Sequence, residues 1–209
     1  QQYDVDMDIL QAKLAIRAFR NEYREVRNTW YACNDAMIDA IENPGIWFDA
    51  GTKFKFISHR NFLWMKLPSG RVIAWAKPEV TIEKMTYEKD TIENGEIVEI
   101  EEVTKYVDVV YVESIDTKTR QFMRHKLIGS SAFQSGVQGS ARDILAQGIL
   151  NAEAAGYPVV FMAHDELMSL VPEGTGDPDE YGRLMCKQAE WFNDLPLSYE
   201  AWRGKRFKK

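Results

Sequence analysis

Val159-Val160-Phe161-Met162-Ala163-His164-Asp165-Glu166-Leu167-Met168-Ser169-Leu170-Val171 is apolar on both sides of three polar residues. The two flanks have the length and composition of paired strands, so the stretch predicts a buried antiparallel hairpin. Adjacent carboxylates have no ordinary place inside such a run. A metal ion or cationic ligand in front of them gives one account. An exposed turn carrying ordinary charges gives another. Neighbours on a strand point to opposite faces, so only a tight turn lets Asp165 and Glu166 serve one site, and Asp165 is the better candidate ligand.

The helix before the hairpin is equally legible. Val137, Ala141, Ile144, Leu145, Gly148, Ile149 and Ala152 form one apolar face,. Gly156 is placed as its C-terminal stop, with Pro158 beyond it. Gln138 and Arg142, four residues apart, share a face beside the stripe. Both can donate hydrogen bonds to nucleic acid, and both also suit a solvated helix edge. After the hairpin, Asp177-Pro178-Asp179-Glu180 has the form of a helix start, and that helix is expected to run to about Asn193.

Upstream, residues 8–42 carry apolar or aromatic side chains at helical spacing from Ala12 to Ala40, with a bend expected near Asn21 to Arg24. Asn43-Pro44-Gly45 ends the run. Arg17, Arg20, Arg24 and Arg27 draw a basic stripe along it, suited to a phosphate backbone or to a solvated, ion-paired face. Strands follow. Asn61 to Leu67 and Arg71 to Ala76 flank Pro68-Ser69-Gly70, a hairpin signal. From Ile82 to Leu127 the pattern is β-rich and charged, with turns at Glu93-Asn94-Gly95 and Asp116-Thr117-Lys118-Thr119. Trp47, Trp64 and Trp75 suit either a private core or an interface. The class is therefore α+β.

The chain has 209 residues, 45% hydrophobic, and a net charge of -6. A core is well within reach, and overall acidity argues mildly against nucleic acid as partner. The charge is uneven, however. Glu83 to Glu113 is acidic, whereas Arg203, Lys205, Arg206, Lys208 and Lys209 make a basic tail. Cys33 and Cys186 lack metal-like spacing, so a disulfide framework or zinc site is not expected. No apolar run is long enough to span a membrane, and no secretory signal is evident. His59 and His125 have no partner at ligand spacing.

Together these segments resemble the C-terminal part of a family A DNA polymerase, the DNA polymerase I-like group, and its phage branch above all. Gln138-Gly139-Ser140-Ala141-Arg142-Asp143-Ile144-Leu145 resembles the family's Gln-Gly-Thr-Ala-x-Asp-Ile helix. Ala155-Gly156-Tyr157-Pro158-Val159-Val160 with His164-Asp165-Glu166-Leu167 resembles its motif C. Ala18-Phe19-Arg20-Asn21-Glu22-Tyr23 with Trp30 is similar to helices of the fingers. Leu67-Pro68-Ser69-Gly70-Arg71 and the basic tail are similar to the phage branch. Single-subunit phage RNA polymerases share the architecture, but Glu166 after Asp165 favours the DNA enzymes.

The resemblance implies fingers-derived helices and β-hairpins over residues 1–130, and over 131–209 a palm segment with a helix, an antiparallel hairpin and a C-terminal helix. It implies that Asp165 ligates two catalytic Mg²⁺ ions, that Glu166 is an accessory catalytic carboxylate, and that His164 lies by the primer terminus. Gln138 would test the nascent pair from the minor groove, where correct pairs present similar acceptors, and Arg142 would also contact DNA. The implied partners are primer-template DNA and dNTP, in a host cytoplasm.

Motif A, the second carboxylate strand, is not found. Asp4, Asp6 and Asp8 do not match it, and the nucleotide-gripping fingers helix is not found either. The expectation is that a second polypeptide or a preceding segment supplies both and shares the Mg²⁺ ions. Two other functions fit the residues less fully. One is a non-catalytic replisome or DNA-binding subunit with a relic hairpin. The other is an unrelated metal-dependent phosphodiesterase, which needs a second carboxylate cluster. The acidic stretch from Glu83 to Glu113 would repel phosphates and is expected to face away from DNA or to meet a protein.

Overall fold

The structure, a computed structural model, describes residues 8–93, 96–116 and 119–206. It divides into two compact units, one formed by residues 1–66 and 72–136, the other by 67–71 and 137–209. The aspartates at 4 and 6, the centres of the two turns expected at Asn94-Gly95 and Thr117-Lys118, and the last three tail residues lie outside the described residues.

The first unit starts with helix α1, Ile9–Glu22, and helix α2, Arg24–Glu42. Asp8 is a cap. Its carboxylate accepts from the Gln11 amide at 2.7 Å, and the Gln11 side chain accepts from the Asp8 amide at 3.1 Å, a reciprocal capping box. The helices separate at Tyr23, whose ψ of 55° leaves the helical region. This is the expected bend. Helix α2 buries Cys33, Ala36, Met37 and Ala40, a stripe at spacings of three and four. Burial there pushes the Cys33 thiol up to about 11, so it stays protonated at neutral pH.

Helix α2 packs on an antiparallel sheet of six strands in chain order. They are β1 Phe48–Asp49, β2 Lys55–His59, β3 Phe62–Lys66, β4 Val72–Glu93, β5 Glu96–Ile115 and β6 Phe122–Lys126. The sequence reading missed β2 and began β3 one residue early. Arg60 and Asn61 form the two-residue turn between them, with φ of 49° and 64°, the double left-handed geometry of a tight hairpin. Phe56, Ser58, Leu63, Met65 and Trp75 form the buried face, and register pairs Phe56 with Met65 and Leu63 with Trp75. Of the other tryptophans, Trp64 is half-buried and donates its indole N–H to the His59 carbonyl at 3.2 Å, while Trp47 is exposed. Helix α3, Gly129–Ala154, begins in this unit. A Cβ on Gly129 would lie 1.9 Å from the Trp30 carbonyl oxygen, so only glycine permits this approach to α2.

The second unit holds the rest of α3, the hairpin of β7 Val159–Ala163 and β8 Glu166–Ser169, and helix α4, Pro178–Met185. Gly156, at φ 87°, stands just past the end of α3, as expected. The final helix stops eight residues short of the expected Asn193. The Asn151 amide donates to the carbonyls of Leu184 and Lys187 at 3.2 and 3.3 Å. It thereby helps satisfy the Leu184 carbonyl in the last turn of the helix and the Lys187 carbonyl just beyond it,. A single 3-10 turn, Glu190–Phe192, follows and buries Phe192. No described helix is long and apolar enough to cross a membrane.

Candidate active-site hairpin

The β7–β8 hairpin is tight. Ala163 pairs with Glu166, so His164 and Asp165 are its two turn residues and Glu166 opens the return strand. His164 has a φ of 53°, a left-handed conformation that costs a non-glycine residue energy although histidine tolerates it better than most. All three polar side chains are exposed. The turn therefore brings Asp165 and Glu166 to the same tip, which regular strand alternation would have prevented.

The expectation of a buried hairpin is corrected. Val160, Phe161 and Met162 are 53%, 50% and 44% exposed. The sheet has two strands only among the described residues, and a two-stranded sheet cannot bury both faces of its apolar residues. Tyr157, just before β7, is buried. Its hydroxyl donates to the Glu180 carboxylate and accepts from the Asp177 amide, which ties the foot of the hairpin to the start of α4. Glu180 holds the Tyr157 phenol above its usual range.

Gln138 and Arg142 are both exposed on α3. The Arg142 guanidinium donates to the Met162 sulfur at 3.3 Å, so it reaches β7 two residues before the turn. Of the five site residues read from sequence, Arg142 is thus joined to the strand that carries His164, Asp165 and Glu166. For Gln138 no such contact is present among the described residues.

A second constellation escaped the sequence reading. Asp143, next to Arg142, is 8% exposed. Its carboxylate accepts from the Ser69 hydroxyl and pairs with the Arg71 guanidinium at 2.5 Å. Both partners lie in the Leu67–Arg71 turn, which Gly70 closes at φ 89° with its amide on the Leu67 carbonyl at 2.9 Å. The two segments were recognised separately. The signal for joining them was a lone carboxylate beside the apolar stripe of Ala141, Ile144 and Leu145.

Among the described residues no three His, Cys, Asp or Glu side chains gather as a metal-binding group. The arginine stripe is exposed at Arg17, Arg20 and Arg24 and half-buried at Arg27. Arg20 also lines a groove of about 440 Å³ with Ala15, Ile16, Phe19 and Trp30, a set with no acidic group. His125 bonds the Ser114 hydroxyl, a structural role.

No protein-family model matches the sequence, and no solved structure matches it. A curated protein named DNA polymerase, from Bacillus phage SP02, is 27% identical over 201 residues. The match covers 93% of this chain and 27% of that protein's length, so the chain spans about a quarter of its relative. The sequence is accordingly related to a phage DNA polymerase.

Proposed function

We propose that the chain is a C-terminal portion of a family A-type DNA-directed DNA polymerase, carrying part of the fingers in residues 1–130 and the motif C half of the palm in residues 131–209. The observation that carries this reading is the hairpin tip. A two-residue turn presents His164 and Asp165 beside Glu166, with Arg142 of the preceding helix on the same hairpin, in a chain related over most of its length to a DNA polymerase.

The donor set suits Mg²⁺. Carboxylate oxygens are hard ligands, and Mg²⁺ is ordinarily held by one or two carboxylates with phosphates and water. Asp165 would hold it, with Glu166 accessory and the remaining carboxylate supplied by motif A outside this chain. When bound, Mg²⁺ supplies activation of the primer 3′-hydroxyl and charge neutralisation at the leaving pyrophosphate. His164, at the turn, would donate to the primer terminus. Gln138, exposed on α3, is a donor suited to the minor-groove acceptors that every correct pair presents. Arg142, also exposed, suits a phosphate of the duplex. The half-exposed apolar residues of β7 favour a further strand beside them, the place motif A would take.

Primer extension by the reassembled polymerase tests this. Loss of several kcal/mol of charge stabilisation predicts that Asp165→Asn lowers the extension rate about a thousandfold or more with primer-template affinity retained. The 209-residue chain alone should not extend a primer. A variant within about tenfold of the parent rate would favour the non-catalytic DNA-binding reading instead, in which the hairpin is a relic.

A further inference from the structure

Strands β4 and β5, of 22 and 20 residues, are several times the usual strand length. Only their lower ends belong to the wider sheet. β3 pairs with β4 at Val72 to Ala76, and β6 pairs with β5 at Tyr111 to Ile115. From Glu79 on β4 and from Val109 on β5, no described strand pairs with the outer edges. From the pair of Ile82 with Asp108 to that of Glu93 with Glu96, the ribbon extends for about 40 Å.

One ribbon face continues the core. A bulge between Ala76 and Glu79 resets the alternation, after which Val110 and Val112, each 1% exposed, point inward. The same face then carries Ile82, Tyr106 and Ile100, exposed by 72%, 72% and 57%, up to a second register shift at Thr91/Ile92. Thr86 and Thr104 bond across it at 2.9 Å, which fixes the register. Asp108, Glu88 and Glu102 stand on the same face, with Lys84. Between Glu79 and Val110 ten residues are acidic and three basic, a balance of -7 in a chain of net charge -6. The rest of the chain is therefore slightly positive.

We infer that this face of the ribbon is a docking surface for a protein partner with a basic rim around an apolar centre. The apolar residues need cover, because a two-stranded ribbon is barely stable alone in water, and those on this face are the more exposed, Met85 and Tyr87 on the opposite face being 44% and 40% exposed. The charge chooses the occupant. The stretch's net charge of -7 repels DNA phosphates, and it repels a second ribbon equally,. A basic partner is attracted, and its charges keep like-signed competitors away. A face about 40 Å long and about 10 Å wide is roughly half of the ~800 Å² that a standard interface takes from each side. The partner therefore also reaches an unpaired edge of β4 or β5, adding a strand to the ribbon. The root is firm enough to carry this. Tyr111 and Lys126 donate to Glu83, and Arg124 pairs with Glu79 at 2.7 Å while lying 3.8 Å over the Tyr111 ring.

The test places a photo-crosslinking residue at Tyr106 or Ile100 on this face, and at Met85 on the opposite face, in the whole polypeptide within the cells that naturally make it. One protein should crosslink from the first two positions and not from Met85. Purified and titrated against the chain, that protein should lose affinity by about tenfold or more on Glu88→Lys with Glu102→Lys and Asp108→Lys. It should lose a similar factor on Ile82→Ser with Tyr106→Ser, and bind more weakly as salt rises. Circular dichroism on both variant sets confirms that the sheet persists. Crosslinks to DNA, to a second copy of the chain, equally from Met85, or to nothing would overturn the proposal. So would an affinity indifferent to charge reversal. None of these outcomes depends on whether Asp165 is catalytic.

Discussion

At the scale of single residues, Asp143 and His164 make opposite predictions. Asp143 is buried with two partners, one of them an arginine that is 59% exposed at its side chain. Removing the carboxylate leaves Arg71 in water, where it is content. Removing the arginine leaves a buried charge without a counter-ion, and the second loss is the larger. Chemical denaturation should therefore show Arg71→Ala costing about 2–3 kcal/mol and Asp143→Asn about 1–2 kcal/mol, values at the low end because the arginine is well solvated. Equal costs would mean that loss of the arginine does not strand the buried carboxylate. His164 sits at a positive φ that glycine adopts freely, so His164→Gly should raise stability by about 0.5–1 kcal/mol. The same change removes the imidazole from the hairpin tip. An extension rate that falls as the midpoint of unfolding rises would mark His164 as kept for function at the expense of stability. A rise in both would remove His164 from the site.

At the scale of elements, the root of the long ribbon is sensitive to pH from both sides. Hydrogen bonds from Lys126 first and Tyr111 second hold the Glu83 carboxyl below its usual range, and Glu83 in turn holds the Lys126 ammonium and the Tyr111 phenol above theirs. A depressed carboxylate stabilises above its unfolded value, about 4.3, and that contribution disappears as pH falls through the folded value. A raised lysine stabilises below about 10.4 and loses its contribution as pH climbs through the folded value. Amide exchange at Glu79 to Lys84 and at Tyr111 should be slowest, after correction for intrinsic rates, between roughly pH 4.5 and 10. Glu83→Gln should flatten the acid side. The elements themselves were legible to different degrees. Periodicity exposed α1, α2 and α3, and turn residues exposed the β3–β4 hairpin. Strand β2 was missed because Arg60-Asn61 is a weak turn signal beside Pro68-Ser69-Gly70. The end of α4 was missed because its last turn is met by a tertiary partner, the Asn151 side chain 33 residues from Leu184. The hairpin of β7 and β8 was recognised, but its burial was not, because apolar content reports what a strand would cover and not whether a neighbour is present. Asp165 and Glu166 could be singled out by their cost in an apolar run; the turn that puts them on one tip required geometry.

At the scale of the whole molecule, the decisive quantity is where the charge sits. The stretch from Ile82 to Asp108 carries nine acidic and three basic residues. Replacing it by a two-residue neutral turn brings the formal charge of the chain from -6 to zero. The ribbon's field reaches DNA only as far as salt allows. The Debye length is about 30 Å at 0.01 M ionic strength and about 8 Å at 0.15 M. At low salt most of the ~40 Å ribbon repels an approaching duplex. At physiological salt only the charges within about 8 Å of it do. Excision should therefore tighten non-specific duplex binding severalfold at 0.01 M and leave it nearly unchanged at 0.15 M, as read by fluorescence anisotropy with one labelled duplex. A gain that persists undiminished at 0.15 M would mean that the ribbon blocks the duplex sterically. Charge would then have to be withdrawn as the reason the parent chain binds a duplex more weakly.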